Sequence, residues 1–218
     1  MTTAFQNFLF NRTILPEKEA LTVADGLRCA ADEEGFLVDQ QALGRYRMAQ
    51  VTSRAFGCGW VACYNALRLL GQPQSAAVTI RELESAFAFG GKLGTRVVQI
   101  APYFMRKGFA VKLAFDEKTA QKNAASAPAS IVYYVRGNCR SAHFVAFAPI
   151  SAQSAEGEPL FRFYNAQSAP QVPRKRLPGA ECSCYCAGGT AGDRRTLHEL
   201  LRPEKAVVTL VISISPKR

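Results

Sequence analysis

The chain predicts an α+β fold, a helical part packed on an antiparallel β-sheet, and three observations lead there. Between residues 58 and 107 apolar residues recur at helical spacing, with glycine or proline closing each run. From Phe109 onward the period drops to two, and β-branched and aromatic residues gather in short runs bounded by turn formers. The helices come first and the strands later, which favours segregated helices on a sheet over alternating βαβ units. A chain of 218 residues with 48% apolar content can bury a real core.

Taken in order, Phe5 to Leu15 carries scattered apolar residues and Pro16 to Ala31 reads as helical. Asp32 to Gly35 is a turn and Val38 to Met48 a short helix. Residues 1–49 hold no sharp motif and are expected to form a helical N-terminal extension packed on a main domain of residues 50–218. Val61 to Leu70 is a helix closed by Gly71, and Thr79 to Phe87 is a second, with Ile80, Leu83, Ala86 and Phe87 on one face. Gly90-Gly91-Lys92-Leu93-Gly94 lacks the lysine and hydroxyl of a phosphate loop and reads as a connector. Thr95 is expected to cap a third helix that ends at Lys107-Gly108.

Strands follow at Phe109–Phe115, Ala129–Val135, Ala142–Ile150, Leu160–Asn165 and Ala206–Ser215. A short helix is expected over Asp116–Ala124, a hairpin connection over Arg136–Ser141, a polar loop over Ser151–Pro159 and a helix over Asp193–Leu201. Gln167 to Gly189 reads as irregular.

The formal net charge is +10, which favours acidic partners or substrates. Nucleic acid is a poor fit: there is no helix-turn-helix pattern and no interleaving of aromatic and basic residues. No run approaches the ~18 apolar residues of a membrane span, so no membrane partner is expected. Seven cysteines in a chain too large to need staples, with no charged start and apolar run at Met1–Asn7, imply free thiols and a cytoplasmic setting. Cys182, Cys184 and Cys186 could join His198 around a metal, but their spacing lacks the usual paired ligands. Neither metal nor cofactor is expected.

The stretch with chemical content is Phe56-Gly57-Cys58-Gly59-Trp60. It puts a cysteine at a helix N-terminus, where unsatisfied N–H groups and the helix dipole stabilise a thiolate. Gly57 and Gly59 would let a substrate chain approach the backbone closely. Trp60 beside them is either a packing residue or a substrate platform. A cysteine nucleophile needs a base near neutrality, in practice histidine. Of the two histidines, His198 lies on a charged helix beside Glu199, whereas His143 opens the strand Ala142-His143-Phe144-Val145, just after a hairpin. An imidazole base needs an acceptor to set its tautomer. Antiparallel pairing of the strands at His143 and Leu160 would bring Asn165 toward His143, with Gln167 as the fallback.

A Gly-Cys-Gly-Trp turn before a helix, Ala-His-Phe-Val on a strand and Phe-Tyr-Asn on the next resemble the papain-like cysteine peptidase superfamily. Order and spacing are most similar to its bacterial bacteriocin-processing, double-glycine branch. The resemblance covers residues 50 to 166. It implies a papain-like fold, a peptide or protein substrate, Cys58 as nucleophile, His143 as base and acid, and Asn165 as orienter. The family's oxyanion glutamine lies about six residues before the nucleophile. Thr52 holds that position here, and Gln50 is the nearest glutamine. The same resemblance admits a catalytically silent domain that binds peptides or a partner protein.

Overall fold

The computed structural model describes residues 27, 30–43, 46–135, 142–166, 194–202 and 205–217. Its centre is a six-stranded, wholly antiparallel sheet of β3 (Phe109–Ala114), β4 (Ala129–Val135), β5 (Ala142–Gln153), β6 (Pro159–Tyr164), β7 (Arg194–Arg195) and β8 (Val207–Pro216), in the order β3-β8-β4-β5-β6-β7. The fold is α+β, as the change of period predicts.

Strand alternation divides the core in two. Ile131, Phe144, Ala146, Leu210, Ile212 and Ile214 face one way. They meet α2 (Cys58–Leu69), α3 (Ala76–Glu82) and α4 (Ile100–Arg106) through Trp60, Leu67, Ile80 and Phe104. Val132, Tyr134, Val145, Phe147 and Val211 face the other way, with Phe161 and Phe163. They are covered by α5 (Glu117–Ala125) and α6 (Leu197–Leu201). The sheet is therefore sandwiched between helices. This second helical layer explains why β4 is buried along nearly its whole length and reads as a continuous apolar run.

Several boundaries differ from expectation for local reasons. The helix over Val38–Met48 is replaced by a 3-10 turn at Gln40–Leu43 and a small hairpin of β1 (Arg47–Met48) and β2 (Val51–Thr52). Ala49 adopts a φ of 48° in the hairpin turn, which ends any helix there. The helix over Thr79–Phe87 starts earlier, because Ser75 caps Val78 N–H, and gives way to a 3-10 turn over Glu84–Ala86. Thr95 does not cap a helix; it bridges back to Phe87, and α4 starts at Ile100 after a 3-10 turn. Pro102 sets that start, since proline is tolerated only in the first turn. Asp116, expected as the first residue of a helix, caps α5 instead, and a Thr196–Glu199 capping box starts α6 four residues later than the sequence suggests.

The segment before α2 shares its core: Ala30, Leu37, Leu43, Tyr46 and Met48 are buried with Trp60 and Leu67. Asn65 pins it, accepting Leu37 N–H at 2.9 Å and donating to Leu37 C=O at 2.8 Å. Among the described residues no helix is long and apolar enough to cross a membrane. The readings of Phe5–Leu15, most of Pro16–Ala31, Arg136–Ser141, Gln167–Gly189 and the three cysteines Cys182, Cys184 and Cys186 lie outside the described residues.

Candidate active site

Helix α2 opens on Cys58 itself, half-buried and reduced, directly after the single turn α1 (Ser53–Phe56) and Gly57. The tight link is built on Ser53, whose carbonyl accepts Gly57 N–H at 2.8 Å and whose hydroxyl accepts the Trp60 indole N–H at 3.0 Å. A Cβ at Gly57 would stand 2.5 Å from Ser53 O. One at Gly59 would collide with Thr95 Cβ and Oγ1. Both glycines are thus required by the protein's own packing around the nucleophile turn. Trp60, 0% exposed, is a packing residue and forms no platform at the surface. Thr95 Oγ1, pressed against Gly59, is buried with no hydrogen-bond partner among the described residues. The second thiol of α2, Cys63, is fully buried, and burial pushes its pKa far up, so it is inert.

His143 is the second residue of β5, 4% exposed, opposite Tyr134 of β4 and edge-on to its ring. Its Nε2 lies 2.9 Å from the main-chain carbonyl oxygen of Asn165. A carbonyl only accepts, so Nε2 carries the hydrogen and Nδ1 is the basic nitrogen of the neutral ring.

The expectation placed the Asn165 side chain against the imidazole; the contact is made instead by its main chain. Asn165 follows the last residue of β6 and has a φ of 62°, a left-handed conformation that asparagine tolerates better than most residues. This turn takes the chain out of the sheet. The carboxamide is then spent on Gln40: Oδ1 accepts Gln40 N–H at 3.0 Å, and Nδ2 donates to Gln40 Oε1 at 3.2 Å. Gln167 is outside the described residues.

Gln40, which sequence reasoning missed, closes a ring of contacts. Its Nε2 donates to Ser53 O at 2.9 Å and Arg54 O at 3.1 Å, in the turn that delivers Cys58. No spacing rule could have found it, because 125 residues separate it from Asn165. A second set of contacts runs through β4. Tyr133 pairs with Phe144, ring centroids 4.6 Å apart, next to His143. Burial raises the pKa of its phenol, and the nearby Cys58 sulfur, when charged, raises it further. Tyr133 therefore stays protonated.

Strand alternation puts His143 on the face of Val145 and Phe147, while Cys58 borders the other core. The contacts through Asn165 and Gln40 reach from His143 to the turn before Cys58, at the end of the sheet where β6 turns away. Gln50 sits in the β1–β2 turn, exposed, held by its N–H to Gly90 O at 3.0 Å, with its side chain against Gly90. His198 is an exposed residue of α6, 3.6 Å from Glu117. Among the described residues no cluster of three histidine, cysteine or acidic side chains could hold a metal.

No protein-family model matches the chain, and no curated protein matches it in sequence. Among solved structures it is similar to the peptidase domain of Streptococcus ComA, a bi-functional ABC transporter involved in a quorum-sensing pathway. The two share 15% identity with a TM-score of 0.46, over 78% of this chain and 97% of that one.

Proposed function

We propose that this chain is a papain-like cysteine peptidase or closely related amide hydrolase. One observation carries the reading: on the strand against which the Cys58 helix packs, His143 commits Nε2 to a carbonyl at 2.9 Å. That leaves the imidazole in the tautomer a general base requires. Nδ1 takes the Cys58 proton, and the thiolate attacks the carbonyl carbon of a peptide bond. The developing oxyanion forms at the N-terminal end of α2, where the helix dipole favours negative charge. Tyr133 supplies a donor through its phenol, and Gln50 is the alternative. The His143 imidazolium then gives its proton to the departing amine as the C–N bond breaks. Water, losing its proton to His143, cleaves the thioester and restores Cys58. The charge of +10 favours acidic peptide or protein substrates.

One observation favours the silent, peptide-binding alternative: the amide nitrogen of Gln40, buried beside the nucleophile turn, is committed to two carbonyls and offers nothing to an oxyanion. The two readings separate on a peptide mixture digested with wild type and with Cys58→Ala. New termini that appear only with wild type support the hydrolase. Their absence, with Cys58 no more reactive to iodoacetamide at neutral pH than a simple thiol, removes it.

A further inference from the structure

We infer that Gln40 and Asn165 act as a positioning pair, and that His143 is oriented by a main-chain carbonyl rather than by the side chain at position 165. The inference rests on the hydrolase reading and deepens it. Four observations support it. The atom facing Nε2 is Asn165 O at 2.9 Å. That carbonyl is aimed by a left-handed turn with a φ of 62°. The turn is held by two hydrogen bonds between the carboxamide and Gln40. Gln40 in turn holds the carbonyls of Ser53 and Arg54, just before Cys58. Gln40 and Asn165 are 7% and 6% exposed, so water does not compete for these bonds.

A single buried side chain therefore ties the turn that aims the carbonyl at the base to the turn that precedes the nucleophile. Neither residue touches substrate in this scheme; both act on the imidazole. A neutral carbonyl stabilises the imidazolium through a charge-assisted hydrogen bond. Weakening its aim lowers the basicity of His143 and so raises the pH at which Cys58 ionises.

The readout is the rate of Cys58 alkylation by iodoacetamide against pH, resolved from Cys63 by tandem mass spectrometry on the full chain. Gln40→Met keeps the volume and the main-chain donor but removes three side-chain hydrogen bonds. It is expected to raise the labelling midpoint by about 0.5 to 1 pH unit, which below the midpoint is about three- to tenfold slower labelling. Asn165→Gly keeps the carbonyl and the left-handed turn and loses only the clamp; its midpoint should rise by a similar amount. Asn165→Asp faces one of its oxygens with Gln40 Oε1 and should also raise the midpoint. If the side chain were the orienter, a carboxylate there would hold the imidazolium better and lower it.

A wild-type Cys58 that labels like a simple thiol overturns both this inference and the hydrolase reading. A reactive wild type with Gln40→Met and Asn165→Gly unmoved, or with a lowered midpoint in Asn165→Asp, overturns the positioning pair alone. Circular dichroism confirms that each variant is folded; should Gln40→Met fail, the two Asn165 variants decide.

Discussion

Replacing Asn65 with leucine tests whether the segment carrying Gln40 is held by the nucleophile helix. Asn65 is fully buried one turn beyond Val61, and its carboxamide satisfies both main-chain groups of Leu37, at 2.9 and 2.8 Å. Leucine has the same branched shape with bulkier methyl groups, and the Leu37 N–H and C=O lose their partners. Each unsatisfied buried polar group costs ~1–3 kcal/mol, and leucine recovers part of that through its apolar surface. The expected net loss is about 2–4 kcal/mol, a large fraction of the stability of an ordinary domain. The assay is urea unfolding followed by tryptophan fluorescence, since Trp60 is the only tryptophan and sits in the same core. The folded fraction should also show a raised Cys58 labelling midpoint, because Gln40 lies three residues beyond Leu37. A loss below about 1 kcal/mol, with an unmoved midpoint, would refute the claim that Asn65 anchors this segment.

Thr95→Val should stabilise the protein by about 1 kcal/mol in the same unfolding assay, because it replaces a buried hydroxyl without a partner among the described residues by a methyl group of similar shape. A destabilisation would mean that the hydroxyl has a partner. Tyr133→Phe should lower peptide turnover by roughly 10- to 100-fold while leaving Cys58 alkylation nearly unchanged, since an oxyanion donor acts after the thiolate forms. Equal losses in both would place Tyr133 in thiolate formation instead. At Glu82, burial works to raise the carboxyl pKa, but hydrogen bonds from Lys107, Gln74 and Tyr103 outweigh it and hold it below the ordinary carboxylate value. A depressed folded-state value stabilises the protein above the unfolded pKa and is lost as pH falls through the folded one. Unfolding midpoints should therefore drop below about pH 4.5, and Glu82→Gln should flatten that part of the curve.

The strands were legible because their residues alternate between two apolar cores. Phe144 and Ala146 face α2, whereas Val145 and Phe147 face α5 and α6. The helix that starts at Cys58 was legible from its glycines, although the reason for them was not. Gly59 makes room for Thr95, thirty-six residues away, and no local rule carries that distance. The same limit hid Gln40. Its environment is set by Asn165, 125 residues further along the chain, so its own neighbours in sequence read as a plain short helix. The expected cap at Thr95 went wrong for a tertiary reason too, since bridging to Phe87 outweighs the local preference of threonine for a helix start.

The choice of atom at position 165 has a consequence for how such a site tolerates change. A side-chain orienter is lost with one substitution, whereas a main-chain carbonyl persists through any substitution that keeps the backbone turn. Selection then acts on the turn and on whatever fixes it. In this chain that means a residue able to hold a φ of 62° and a partner able to receive both ends of its carboxamide. Asparagine meets the first demand at modest strain, and Gln40 meets the second while its remaining donor braces the Ser53–Arg54 turn. The imidazole is accordingly aimed by the same contact that seats the cysteine. A disturbance at either end of this bridge should weaken base and nucleophile together rather than one alone.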